Sequence, residues 1–346
     1  MVLNPGALPA RTEALTQDSL AGHALESAYS SLRSPFDAQP YLLIDLDAGT
    51  ACAPAQLSLL SRWLEAQACP VIGIGSRVRG IGDACDLVLS DDSGLGGMVD
   101  NIVRAPLAAM TLVQVLRACA RMALARALTV ESLAYSTLQA GPEFQRWSAA
   151  NPPAPETIAT DDGPAVLVER SGDRLQLRLN RPSSRNAMSV EMRDALVEAL
   201  ELAAIDNSIA RVDVSALGAC FSTGGALQEF GTAGDAASAH AVRSLRLPAA
   251  TLLRCEAIIN VHVHGACIGA GIEFPAFADR LTASPASFFQ LPEIRFGLIP
   301  GAGGCVSIPR RIGRQRTAYL ALSARRINAA TALDWGLVDA IVDAAD

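Results

Sequence analysis

Residues 149–164, AANPPAPETIATDDGP, carry no hydrophobic period of either kind and are dense in Pro, Ala, Thr and Asp, so no regular helix or strand is expected to run through them. They split a chain of 346 residues, long for one core at roughly 150 residues per domain, into an N-terminal region (1–148), a linker (149–164) and a C-terminal domain (165–346). In the N-terminal region YLLIDLD (41–47), PVIGIG (70–75) and DLVLSD (86–91) are short β-like runs. Between the first two, APAQLSLLSRWLEAQA (53–68) has apolar residues at helical spacing, which predicts a small parallel βαβ layer. From Pro106 to Trp147 the pattern is helical, with Leu112, Val115, Leu116 and Cys119 on one face and Arg117 and Arg121 on a polar side. Gly73, Gly75, Gly80 and Gly82 lack the spacing of a dinucleotide loop and read as turn residues, and Asp45 and Asp47 read as solvated strand-end carboxylates.

Composition removes several function classes. The net charge of −7 arises from 35 acidic and 28 basic side chains that are interspersed rather than blocked, which argues against a nucleic-acid or membrane-surface partner. No lysine occurs anywhere, so Schiff-base chemistry, a Walker-type lysine and Ser–Lys catalysis are excluded. The eight cysteines form no C-x-x-C pair and read as reduced thiols. Of four histidines, His262 and His264 alternate along one strand-like run and are expected to be packed residues, with no metal site. The N-terminus lacks the features of a signal peptide and no run approaches ~18 apolar residues, so a soluble, cytoplasmic protein is expected.

The C-terminal domain is denser in signals. AVLVER (165–170) and RLQLRLNR (174–181) alternate like two strands of a hairpin around Ser171-Gly172-Asp173. Ser189 can cap a helix whose stripe is Met192, Leu196, Ala199, Leu200 and Ala203, and IARVDVSA (209–216) resumes strand character. A second round predicts one helix over 238–257 and a strand, IINVHVHG (258–265), running directly into Gly269-Ala270-Gly271; a third strand-like stretch ends near Gln290. The turns at 222–226 and 265–271 each leave backbone N–H groups free to meet an anion or oxyanion, helped by the positive end of a helix beginning near Ile272. Close behind the second turn stand Glu273, in an apolar IEFPAFA run expected to be helical with Pro275 in its first turn, and Glu293 in QLPEIRFG. A carboxylate in surroundings this apolar needs a partner or a function.

In order, spacing and residue type, LNRPSSRNA (179–187), FSTGGAL (221–227), VHGACIGAGIEFPAFAD (263–279) and FFQLPEIRFGLIPGAGG (288–304) resemble the successive signatures of the crotonase, or enoyl-CoA hydratase/isomerase, superfamily. The resemblance covers about 165–343. It implies an α/β fold of repeated ββα units, here with an additional N-terminal α/β and helical region. It also implies a CoA or acyl-carrier-protein thioester as substrate, no cofactor beyond that CoA, and a homo-oligomer, trimer or hexamer. Carried over residue by residue, it makes Gly225 and Ala270 the oxyanion-hole donors and Glu273 and Glu293 the acid/base pair that adds water across an enoyl thioester. Arg181, Arg185, Ala187, Phe221, Gly224, Gly271, Pro300 and Gly301 become substrate-binding positions, with Arg310, Arg311, Arg314 and Arg316 as further candidates for phosphate contacts.

Two departures from the superfamily pattern stand out. Ala226 replaces an aspartate common after the first oxyanion residue, and the sequence stops at Asp346, where such enzymes usually continue into helices covering the acyl site. The stretch 127–147 looks similar to that missing tail and 83–93 to a worn copy of the superfamily core, so the N-terminal region is expected to supply the cover, as a degenerate half. The competing readings are a double-bond isomerase of the same fold, working through a single glutamate, and a non-catalytic interaction protein.

Overall fold

The computed structural model describes residues 14–16, 19–20, 32–49, 54–76, 80–152 and 161–343; Cys52, His23 and positions 153–160 of the expected linker lie outside the described residues. In the N-terminal region β1 (Leu42–Asp45), β2 (Val71–Ile74) and β3 (Leu87–Leu89) form a parallel sheet in that order, with α1 (Pro54–Glu65) between the first two strands. The strands are mostly buried, as near-continuous apolar runs in a covered parallel sheet require. Four helices follow: α2 (Leu95–Arg104), α3 (Pro106–Cys119), α4 (Leu124–Gln139) and α5 (Pro142–Ala150). Pro106 and Pro142 sit in the first turns of α3 and α5, where a missing N–H costs nothing. Helix α5 runs past 148 to Ala150, beyond the boundary expected from composition.

The C-terminal domain opens with the expected hairpin, β4 (Val166–Ser171) and β5 (Arg174–Leu179), turning at Gly172 with φ 63°. Ser189 caps α6 (Val190–Ile205) by accepting the Met192 N–H at 3.1 Å, and β6 (Arg211–Ala216) follows. The helix expected over 238–257 is instead two, α7 (Ala236–Leu245) and α8 (Pro248–Leu252), because Pro248 has no N–H to continue the ladder. The strand expected to run into the glycine turn is likewise divided, into β7 (Ile258–Val263) and β8 (Ala266–Ile268), which enter different sheets. After them come β9 (Arg280–Ala283), β10 (Phe288–Gln290), α9 (Gly304–Ile312), α10 (Arg314–Ser323), β11 (Ile327–Asn328), α11 (Ala329–Trp335) and β12 (Ala340–Ile341). One sheet has the order β12-β9-β7-β6-β5-β4, parallel except for the β4 edge, and a smaller one has β11-β10-β8.

The apolar core does not divide at the linker. Ile102, Leu112, Leu116, Leu138 and Phe144 of the N-terminal helices belong to the same buried cluster as Leu177, Val261, Ile272, Leu298 and Ile308, whereas Leu42, Ile44, Leu60, Leu64 and Val71 form a separate small core on the other face of the βαβ layer. Polar contacts cross the same boundary. Asp86, 1% exposed, pairs with Arg117 of α3 at 2.5 Å and Arg314 of α10 at 2.8 Å, and Asn101 donates to the Leu322 and Ser323 carbonyls.

Candidate active site

Two turns are laid against each other by backbone hydrogen bonds. Ser222 N–H donates to the Ala266 carbonyl and Ile268 N–H to the Ser222 carbonyl, both at 3.1 Å. On the other side Met188 N–H donates to the Gly224 carbonyl at 2.7 Å and Ala226 N–H to Met188, while Ser222 Oγ donates to the Asn186 carbonyl, so the 185–188 segment clamps the first turn. The approach is closest at Gly224, which has φ 87° and where a Cβ would lie 2.6 Å from the Ile268 carbonyl oxygen and 3.7 Å from the Ala270 nitrogen. At Gly271 a Cβ would lie 2.5 Å from the Ser222 carbonyl oxygen. Only glycine fits either place. Among the described residues no acceptor is paired with the Gly225 or Ala270 N–H, the arrangement an oxyanion site requires.

The helix expected from near Ile272 is a single turn, Ala270–Glu273, and Pro275 opens a separate 3-10 turn, Pro275–Phe277. A macrodipole of one turn is small, so the N–H groups themselves, rather than a long helix behind them, supply the positive potential. That turn nevertheless points Glu273 inward. Glu273 and Glu293 are 2% and 8% exposed, and a Cβ built on Gly269 would lie 2.6 Å from Glu293 Oε1 and 3.7 Å from Glu273 Oε1, so both carboxylates reach one small volume beside the second turn. Glu273 Oε2 accepts N–H bonds from Ala302 at 2.7 Å and Gly304 at 2.9 Å; Glu293 Oε2 is buried with no partner. Burial pushes the Glu273 carboxyl up to about 7 against the opposing pull of its N–H bonds. It drives Glu293 well above the carboxylate range, reinforced by the charge of Glu273. Two acids with unequal surroundings at one point can move a proton to and from a bound molecule.

The N-terminal helices reach this point too. Glu131 of α4, 1% exposed, accepts the Gly303 N–H at 2.7 Å and the Cys305 N–H at 2.8 Å. Tyr135, one turn on, packs its ring on Gly301, and the Arg243 guanidinium lies 4.4 Å from the centre of that ring, its Nε buried without a partner. Phe230 covers Gly225, where a Cβ would be 2.5 Å from the ring, and meets Phe296 at 6.5 Å; Phe296 in turn stacks at 4.7 Å on Trp147 of α5. Two cavities, of about 190 and 460 Å³, share the Phe230 wall; the smaller is also lined by Tyr135, Met188, Ala226, Arg193 and Arg243. Glu131, Tyr135, Phe230 and Arg243 were not singled out from sequence. For Glu131 a signal existed: it lies on the buried stripe Ala127, Leu128, Glu131, Ser132, Tyr135, the same carboxylate-in-apolar-surroundings pattern that marked Glu273.

The remaining candidates are placed as follows. Ala187 lies in the clamp beside the first turn, and Pro300 and Gly301 lead into the loop that holds Glu273. Phe221 is fully buried against Phe274 at 5.9 Å, so only its backbone faces the turn. Arg181 is engaged by Glu191, and Arg185, exposed, has a left-handed backbone with φ 54°. The later arginines hold the fold: Arg310 donates to the Val306 and Met122 carbonyls, Arg311 to Asp339, Ala276 and Ala278, Arg314 to Asp86, and Arg316 lies over Trp335. Among the described residues no group of three His, Cys, Asp or Glu side chains is placed to hold a metal ion, and His262 is instead bonded to Thr282 and Ser284.

Residues 170–346 match the family model described as enoyl-CoA hydratase/isomerase, over half of the chain. The chain belongs to the enoyl-CoA hydratase/isomerase family. It is similar to the 2,3-dehydroadipyl-CoA hydratase of Escherichia coli, with 34% identity over 173 residues, 50% of this chain and 67% of the relative. It is also similar to the mitochondrial Delta(3,5)-Delta(2,4)-dienoyl-CoA isomerase of Mus musculus, with 29% identity across 54% of this chain and 62% of the relative. A third relative is the trans-2-decenoyl-[acyl-carrier-protein] isomerase of Streptococcus mutans, 31% identical across 47% of this chain and 63% of the relative. The chain thus spans some three fifths to two thirds of the length of these family members, which include hydratases and isomerases alike.

Proposed function

We propose that this protein adds water across the double bond of an α,β-unsaturated acyl thioester, and catalyses the reverse elimination. The observation that carries this reading is the convergence of Glu273 and Glu293 on the volume beside Gly269, next to the free Gly225 and Ala270 N–H groups. The thioester carbonyl oxygen would accept both N–H bonds, and the enolate charge that builds on it during attack is what they stabilise. Glu273, in its ionised form, which the N–H groups on its other oxygen favour against burial, takes a proton from the water as the water oxygen bonds to the β-carbon. Glu293, whose unpartnered oxygen suits a carboxylic acid, delivers its proton to the α-carbon. The C=C π bond, one O–H bond of the water and the Glu293 O–H bond break while one C–O bond, one C–H bond and the Glu273 O–H bond form, and return of that proton from Glu273 to Glu293 restores the starting state. The test is hydration of crotonyl-CoA against isomerisation of a 3-enoyl-CoA: isomerisation without hydration selects the competing isomerase reading, in which one glutamate shuttles the proton.

We infer that α4 and α5 cover the acyl pocket, a reading supported by Tyr135 on Gly301 and Trp147 on Phe296. The acyl group would then enter past Phe230, between the two cavities and Gly225.

A further inference from the structure

Four consecutive amides open α9, and two buried acids divide them in strict alternation. Ala302 and Gly304 donate to Glu273 Oε2 at 2.7 and 2.9 Å, while Gly303 and Cys305 donate to Glu131 Oε1 and Oε2 at 2.7 and 2.8 Å. The two glutamates come from opposite sides of the linker. Glycine is needed between them: Gly303 has φ 104°, and a Cβ on Gly304 would lie 2.7 Å from Glu273 Cγ and 2.8 Å from its Oε2.

We propose that Glu131 is a positioning residue for the reaction, gripping alternate amides of the 302–305 turn so that the other two hold Glu273 with its free oxygen toward Glu293. The inference rests on the thioester reading above. A carboxylate receiving two N–H bonds in this way pins a turn that glycines alone would leave loose, because glycine restricts its own backbone least. Burial and the nearby charge of Glu273 together push the Glu131 carboxyl well above its ordinary range. The other titratable or charged groups around it are Glu293, Tyr135, Arg243, Cys119 and Cys305.

The experiment uses the full chain with crotonyl-CoA as probe, comparing wild type, Glu131→Gln and Glu131→Leu by thermal melting, by kcat and KM separately, and by the pH profile of kcat. Wild-type turnover that is lost in Glu273→Gln establishes the thioester reading on its own; a wild type that turns over no enoyl thioester removes that reading and this proposal with it. Given turnover, folded Glu131→Gln is expected to lose tenfold or more in kcat with little change in KM, as a misplacement of about 1 Å at the acid would cause. Its acidic limb is expected to move to higher pH, because a loosened turn weakens the N–H bonds that hold the Glu273 carboxyl down against burial. Glu131→Leu tests the same point without a polar head. If either variant folds and keeps the wild-type kcat and pH profile, losing only melting temperature, Glu131 is structural and the proposal is overturned.

Discussion

The ring of Tyr135, on the helix before the linker, rests on Gly301, in the loop after it, so closely that even a methyl group at residue 301 would overlap the ring. Gly301→Ala is therefore expected to lower stability by about 1–3 kcal/mol, the usual cost of overpacking. Combined with Tyr135→Leu, the loss should fall short of the sum of the single losses by roughly 0.5–3 kcal/mol, measured by urea unfolding. Strict additivity would show that the two residues do not touch.

The acid pair gives the second expectation. Glu273→Gln and Glu293→Gln should each lower kcat by about 10² to 10⁴-fold, the range for removing a positioned proton-transfer group. The double variant should be little worse than the poorer single one, since the residues act as a unit. Turnover unchanged from an active wild type in both single variants would show that neither acid carries the proton, and a wild type without turnover would favour the non-catalytic reading.

A backbone donor is removed by proline. Ala270 is the first residue of its helical turn, and the Gly269 before it, with φ 50° and ψ −123°, tolerates the change without the Cβ clash that restricts other residues before proline. Ala270→Pro should cost about 10² to 10³-fold in kcat with the fold intact by circular dichroism. A loss confined to KM would count against an oxyanion role.

Stability should also depend on pH through Glu273, whose carboxyl rises from the ordinary 4.5 to about 7 because of burial. Between those values the folded protein binds more protons than the unfolded chain, so the contribution is fully present below about 4.5 and is lost as pH climbs through about 7. The loss is on the order of 3 kcal/mol. Melting curves from pH 5 to 8 should fall accordingly, with a shallower slope in Glu273→Gln; an identical slope in that variant would contradict the shift.

Asp86 ties β3 to both α3 and α10 through Arg117 and Arg314. Asp86→Ala leaves two partly buried guanidinium groups without their carboxylate and should destabilise by roughly 3–5 kcal/mol in urea unfolding. A change below about 0.5 kcal/mol, typical of a plain surface substitution, would mean that the contact between the βαβ layer and the C-terminal domain does not depend on this pair.

Much of the site was legible in the chain because its constraints are local. A strand followed by closely spaced glycines announces a tight turn with free amides, and a glutamate inside an apolar run announces a buried carboxylate, so Gly225, Ala270, Glu273 and Glu293 were all named from sequence. Their roles came from family resemblance rather than from spacing. Less visible was where helices stop: the 238–257 run broke at Pro248, and the run after Gly271 yielded one turn, because packing against Ser222 and the 301–304 loop decides how far the chain can coil.

By itself the sequence determined the early strands and helices of each region, the glycine turns and the presence of two acids behind the second turn, since each depends on residues within a few positions of one another. Only the tertiary structure decided that Glu131 and Tyr135 join that site, that Arg181 is engaged by Glu191, and that one core spans the linker. Those outcomes depend on which distant surfaces meet, and hydrophobic burial, which drives the meeting, is non-directional and leaves no short-range pattern of the partner in the chain.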